Sequence, residues 1–156
     1  VAFVSHANNL TGDNYPYTRP HHVFLKDRLS GAIQLISRDA NGNPANSYDG
    51  DLRRIIPYPQ VSADGHYVAF LSEAENLVEG AGEYIHVYVK NAQTGAITLA
   101  SSSSFDTAPA NDNSGWPAIS ADGQAVSFSS LATNLTPDNT GGFKQVFVKD
   151  MRPAQF

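Results

Sequence analysis

At 156 residues the chain fits one ordinary domain and is long enough to bury a core. With 10 Lys and Arg against 15 Asp and Glu, and no basic run, it lacks the cationic patches that hold nucleic acid or anionic lipid. It has no cysteine, which excludes disulfides and thiolate chemistry, and no apolar run approaches the ~18 residues of a membrane span.

In chain order the elements repeat. Val1-Ala2-Phe3 returns as Val68-Ala69-Phe70 and Val126-Ser127-Phe128, at spacings of 67 and 58 residues, and Asn9-Leu10, Asn76-Leu77 and Asn134-Leu135 keep those spacings. HVFLKD (22–27) matches HVYVKN (86–91) and QVFVKD (145–150), and SGAIQLIS (30–37) matches TGAITLAS (94–101). Landmarks in constant order define repeat units of about 1–58, 59–116 and 117–156. The middle unit is the complete one. Residues 59–63 predict a short strand, and Asp64-Gly65 a tight turn, because glycine accepts positive φ without steric cost. Residues 67–72 follow as a strand with Val68 and Phe70 on one face and Ala69 and Leu71 on the other. A polar loop leads to a third strand over 85–90, and Thr94-Gly95 turns the chain into a fourth over 96–100. SEAENLVEG (72–80) is too short for more than a turn of helix. Residues 39–51 and 103–115 read as inter-unit loops, and the first carries an insert: Pro44 to Pro59 spans 15 positions where Pro109 to Pro117 spans 8.

Repeated four-stranded antiparallel units are the pattern of β-propeller blades, with a duplicated β-sandwich as the alternative. Small residues at Ala63, Ala69, Ala121, Ser127 and Ser129 suit closely stacked blades. The first unit enters at its second strand and the third stops after its third. The fold expected is therefore all-β, with three, four and three strands making about two and a half blades of an incomplete ring. Opening on Val1 rather than Met, the chain reads as a processed product or a piece of something longer, completed by further blades or, second, by other copies of itself.

The phrase P-x-I/V-S-A-D-G-x-x-V-A-F-x-S-x-A-x-N-L, followed by an Asp/Asn/Gly loop and V-F-V-x-D-x-x-T-G, resembles the TolB-like propeller repeats of bacteria. That resemblance implies an exported protein, periplasmic or extracellular, acting as a binding module within something larger. The family's loop after Asn-Leu resembles a calcium loop, since calcium takes six to eight oxygen ligands. Here the carboxylate that closes it is replaced by His22, His86 and Gln145, which weakens any such site. The third loop, with Asp138, Asn139 and Thr140, is the best remaining place for calcium, the one cofactor considered; Asp13 and Asn14 stand at the first.

The other polar candidates read as structural. His22 and His86 share a repeat position, and neighbours His21 and His22 point to opposite faces of a strand, so a metal site among them and His6 and His66 is not expected. Asp27, Asn91 and Asp150 align, as do Asp64 and Asp122, in the places where Asx side chains accept hydrogen bonds from turn amides. Asn-Leu-Thr at 9–11 and 134–136 reads as turn chemistry, not a glycosylation site. G-x-S-x-G is absent, nothing orients a base toward Ser114, and the carboxylate pairs Asp49/Asp51 and Glu73/Glu75 lie on solvated loops, so no enzyme is expected. A non-enzymatic interaction or structural module is the first reading. The alternatives are a propeller attached to a larger hydrolase or lyase, or a self-assembling structural subunit. In the first reading, function falls to the residues that break the repeat. Tyr15, Tyr17 and Arg19 of the first loop and Tyr48, Arg53 and Arg54 of the insert are the expected contacts to a protein or glycan, with Tyr58, Tyr84, Phe105 and Trp116 beside them. Trp116 precedes Pro117 as Tyr58 precedes Pro59, an equivalence that predicts packing at the junction between units.

Overall fold

The computed structural model describes residues 1–13, 21–46, 58–138 and 141–152. Ten strands follow one another with no helix among the described residues: β1 Ala2–Ser5, β2 His22–Lys26, β3 Ile33–Leu35, β4 Gln60–Val61, β5 Tyr67–Ser72, β6 His86–Asn91, β7 Ile97–Leu99, β8 Ser114–Ile119, β9 Ala125–Ser130 and β10 Gln145–Asp150. They form three antiparallel sheets, ordered β1-β2-β3, β4-β5-β6-β7 and β10-β9-β8, and none closes on itself. The all-β expectation and the division of strands into three, four and three both hold.

The strands are where alternation and turn residues put them. β5 keeps the bounds its sequence predicts, because Gly65 turns the chain at φ 76° just before it. β4 is shorter than residues 59–63 suggest, with two paired residues: Ser62 already turns, its carbonyl accepting from the Gly65 amide at 3.0 Å. The loop expected over 103–115 ends early, since Ser114 and Gly115 belong to β8.

Both faces of the middle sheet are buried. Val68, Phe70 and Tyr88 on one face pack with Val23, Ile36 and Ala45 of the first sheet and its exit loop. Ala69, Leu71, Val87 and Val89 on the other pack with Val126 and Phe128 of the third. In each sheet two rings directly opposite each other on paired strands stack: Phe3 on Phe24, Phe70 on Tyr88 and Phe128 on Phe147, with centroids 5.5–5.8 Å apart. The sheets thus stack one on the next through the same residues. Among the described residues nothing covers the third sheet's far face in this way: Val146 and Val148, the counterparts of Val87 and Val89, are 76% and 73% exposed.

Polar ties repeat with the core. Lys90 is 1% exposed, and its Nζ donates to the Arg38 and Asp39 carbonyls at 3.0 and 2.9 Å in the loop leaving the first sheet. Lys149 makes the equivalent reach to the Ser102 and Ser103 carbonyls, at 3.3 and 3.2 Å. The Asn-Leu asparagines act beside them. Asn76 donates to the Pro44 carbonyl at 2.8 Å and accepts from the Asn46 amide at 2.9 Å, and Asn134 does the same to Pro109 and Asn111, at 2.9 and 3.0 Å. Each unit therefore fastens the exit loop of the unit before it.

Candidate functional site

The described residues bring one pair of exposed aromatics together. Trp116 and Tyr58 stack with ring centroids 5.2 Å apart and planes 28° from parallel, 66% and 39% exposed respectively. The stack joins equivalent positions of successive units, as expected of Trp116, but it lies in solvent and not in a core as that expectation had it. The cause lies in the backbone: Tyr58 and Trp116 have φ of 37° and 54°, and around Trp116 the β8–β9 register shifts between Gly115 and Ala118. A bulge with a left-handed residue turns its side chain off the sheet face, carrying Trp116 into solvent. Both residues precede proline, which disfavours helical backbone, and for bulky side chains the left-handed region costs of order 1–3 kcal/mol. The two equivalent rings present flat apolar area to solvent with few rotamers to freeze.

The residues expected to contact a ligand, Tyr15, Tyr17, Arg19, Tyr48, Arg53 and Arg54, lie outside the described residues, as do Asn14, Asn139 and Thr140 of the calcium loops and the Asp49/Asp51 pair. Tyr84 and Phe105 are exposed but stand apart from the aromatic pair in the sequence. Asp138, the remaining member of the third loop, is exposed, and its carbonyl accepts from Thr136 Oγ1 at 3.3 Å. In the first loop the Asp13 carboxylate is already met by the Arg38 guanidinium at 2.6 Å and by Thr11 Oγ1 at 2.7 Å. An arginine thus supplies the positive charge a calcium ion would bring. Among the described residues no three His, Asp or Glu side chains converge as a metal site requires.

The histidines divide by burial. His22 and His86 are sealed in, with Nδ1 3.0 and 3.1 Å from Ser37 and Ser101 Oγ. Each serine oxygen also accepts an amide, from Val23 or Val87, at 3.1 and 3.0 Å. A Ser–His pair on paper is here a tie inside a sheet, because both members are buried and the oxygen is committed to backbone. Burial lowers the His22 pKa to about 4, against the pull of Asp13, and lowers that of His86, against the backbone of Ala81. Both rings are neutral at pH 7. His6 and His21 lie close, with ring centroids 3.9 Å apart, and His66 is half exposed with Nδ1 3.0 Å from the Asp64 carboxylate.

The aligned Asx residues do what turn chemistry predicts. Asp64 accepts from the His66 amide at 2.9 Å and from Ser62 Oγ, and Asp122 from the Gln124 amide at 3.0 Å and from Ser120 Oγ. Asp27, Asn91 and Asp150 accept from the Leu29, Gln93 and Arg152 amides. These bonds hold the Asp27 and Asp64 carboxyls below the usual carboxylate range. The lysine ties have no counterpart in the sequence reading; the signal available was a lysine at one repeat position, 26, 90 and 149, in otherwise apolar strands.

No family model matches the chain, and no curated protein matches it. Among solved structures the chain has a weak similarity to the crystal structure of TolB from Acinetobacter baumannii. The two are 15% identical over 96% of this chain and 38% of that one, with a TM-score of 0.39. The chain thus spans well under half the length of that protein.

Proposed function

We propose that the chain is a segment of a β-propeller, about two and a half blades of an incomplete ring, that serves an exported bacterial protein as a non-enzymatic binding module in the periplasm or outside the cell. The ligand is a protein or glycan held by loops and strand entries along one rim. The observation that carries this reading is the solvent-facing Tyr58–Trp116 stack, built at equivalent places in successive units on strained backbone. Flat, paired rings suit the apolar faces of sugar rings and the prolines or aromatics of a peptide.

Trp116 is the sole tryptophan, so its fluorescence reports this surface alone. Titration with soluble cell-envelope glycans and with proline-rich peptides is expected to shift or quench that emission saturably for one of the two. A Tyr58→Ala chain, with its fold intact by circular dichroism, should weaken the same ligand about tenfold. Emission that responds to neither class, or a response that Tyr58→Ala leaves unchanged, overturns the assignment.

A further inference from the structure

His6 and His21 stand at the two ends of the loop between β1 and β2, one step beyond the last pair of that ladder, Ser5 opposite His22. Antiparallel pairing brings them side by side, and their rings meet with centroids 3.9 Å apart and planes tilted by 44°. His6 is exposed and His21 half-buried, so an ion in solvent can reach the pair. Strand alternation sets both on the side of Val23, which packs with the second sheet. His22 points the other way, with its Nδ1 on Ser37.

The repeat does not require this pair. The same two positions hold Glu73 and Ile85 in the second unit, and Leu131 and Lys144 in the third. Ile85 packs against the core between the second and third sheets. Where another unit uses the place for packing, the first sets two nitrogen ligands there.

Imidazole suits divalent copper, nickel and zinc. Metal–nitrogen bonds of about 2.0–2.1 Å put two ligating nitrogens about 3 Å apart. Rings with centroids 3.9 Å apart reach that spacing by turning about χ2, a soft torsion in histidine. The strands hold the second ring beside the first, so its binding to an ion already held is intramolecular. A third ligand is not at hand. The Asp13 carboxylate is taken by Arg38 and Thr11, and no three His, Asp or Glu side chains converge among the described residues. The described residues therefore offer a two-nitrogen chelate with water in the other positions, and not a centre closed by protein. For such a site the order of divalent affinities favours Cu2+, while Ca2+ and Mg2+ prefer oxygen ligands.

We infer that His6 and His21 form a surface chelate for a divalent transition metal, with Cu2+ the ion it holds best. The site uses other residues than Tyr58 and Trp116 and does not rest on their reading.

The test titrates the whole chain with copper(II) chloride in a non-coordinating buffer, followed by calorimetry and amide NMR. One equivalent should bind saturably, with paramagnetic broadening centred on residues 5–7 and 21–23. His6→Asn and His21→Asn, with the fold checked by circular dichroism, should each weaken binding about tenfold or more, since each removes one of two ligating nitrogens. His66→Asn, which removes the remaining histidine that is not buried, should leave the affinity unchanged. The wild-type broadening map decides the location even where a variant fails to fold. No saturable binding, broadening centred on His66, equal binding of Ca2+, or an affinity that a folded His6→Asn or His21→Asn chain retains overturns the proposal. None of these results bears on the aromatic rim.

Discussion

A histidine sealed into a sheet face can fold only as the neutral ring, and this has a direction in pH. An unfolded histidine titrates near 6.5 and His22 in the fold at about 4, so between those values the unfolded chain binds the extra proton. The contribution of His22 is fully present above pH 6.5 and is lost as pH falls toward 4, by about 3 kcal/mol at most. His86 acts in the same direction. The turn carboxylates are held below their usual range and lose their contribution at lower pH, so they do not mask the effect. Urea midpoints should therefore fall between pH 7 and pH 5, and a His22→Phe, His86→Phe chain should lose most of that fall. A wild-type midpoint flat across the window would mean that the rings are solvated. Their equivalence was legible in the sequence, as repeat position predicted; their burial was not. The partner serine stands 15 residues away, on the chain leaving the next strand, and a lone histidine at a strand start is as often a surface residue.

At the level of strands and loops, Lys90 and Lys26 occupy the same repeat position in opposite circumstances. The Lys90 ammonium is bonded to two carbonyls of a neighbouring unit, and burial lowers its pKa. Lys26 is exposed, with no side-chain partner among the described residues. Lys90→Ala should cost about 2–3 kcal/mol by urea denaturation, since it strands two carbonyls that a charged donor satisfied, whereas Lys26→Ala should stay within about 0.5 kcal/mol. Equal costs would show that the tie carries no weight. Strand positions such as β5 could be read from alternation and Asp-Gly turns because both are local. The lysine ties could not, because their acceptors are main-chain carbonyls and leave no mark on the side chains that line the loop. The exposure of Trp116 escaped notice for a related reason. Its equivalence to Tyr58 was read correctly, but the left-handed residue that turns Trp116 outward sits at a bulge whose pairing lies in β9.

Across the whole molecule, sheet stacking gives one residue type two environments. Val89 is buried between the second and third sheets, while its counterpart Val148 faces solvent on the third sheet's outer side. Val89→Asp should unfold the chain, because an unpaired carboxylate would sit in an apolar layer. Val148→Asp should leave the urea midpoint within about 0.5 kcal/mol of wild type and reduce self-association at high concentration, by breaking an exposed apolar patch. A large loss of stability in Val148→Asp would place that face inside the folded core. Only the repeat makes the comparison possible: the sequence shows Leu25, Val89 and Val148 at one position, with no sign of which copy is covered.

The ties between units also bear on how such an array can change over generations. Each unit carries its own donors, an asparagine and a lysine, and its own acceptors, the carbonyls of its exit loop. Duplication of one unit therefore copies both halves of a junction together, and no second change is needed to make the new neighbours fit. The acceptors belong to the backbone, so the loop's side chains are free to diverge, as Arg38-Asp39 and Ser102-Ser103 already have while receiving equivalent lysines. Units can be gained or lost, and their loops can drift toward new ligands, without the junctions having to be reinvented.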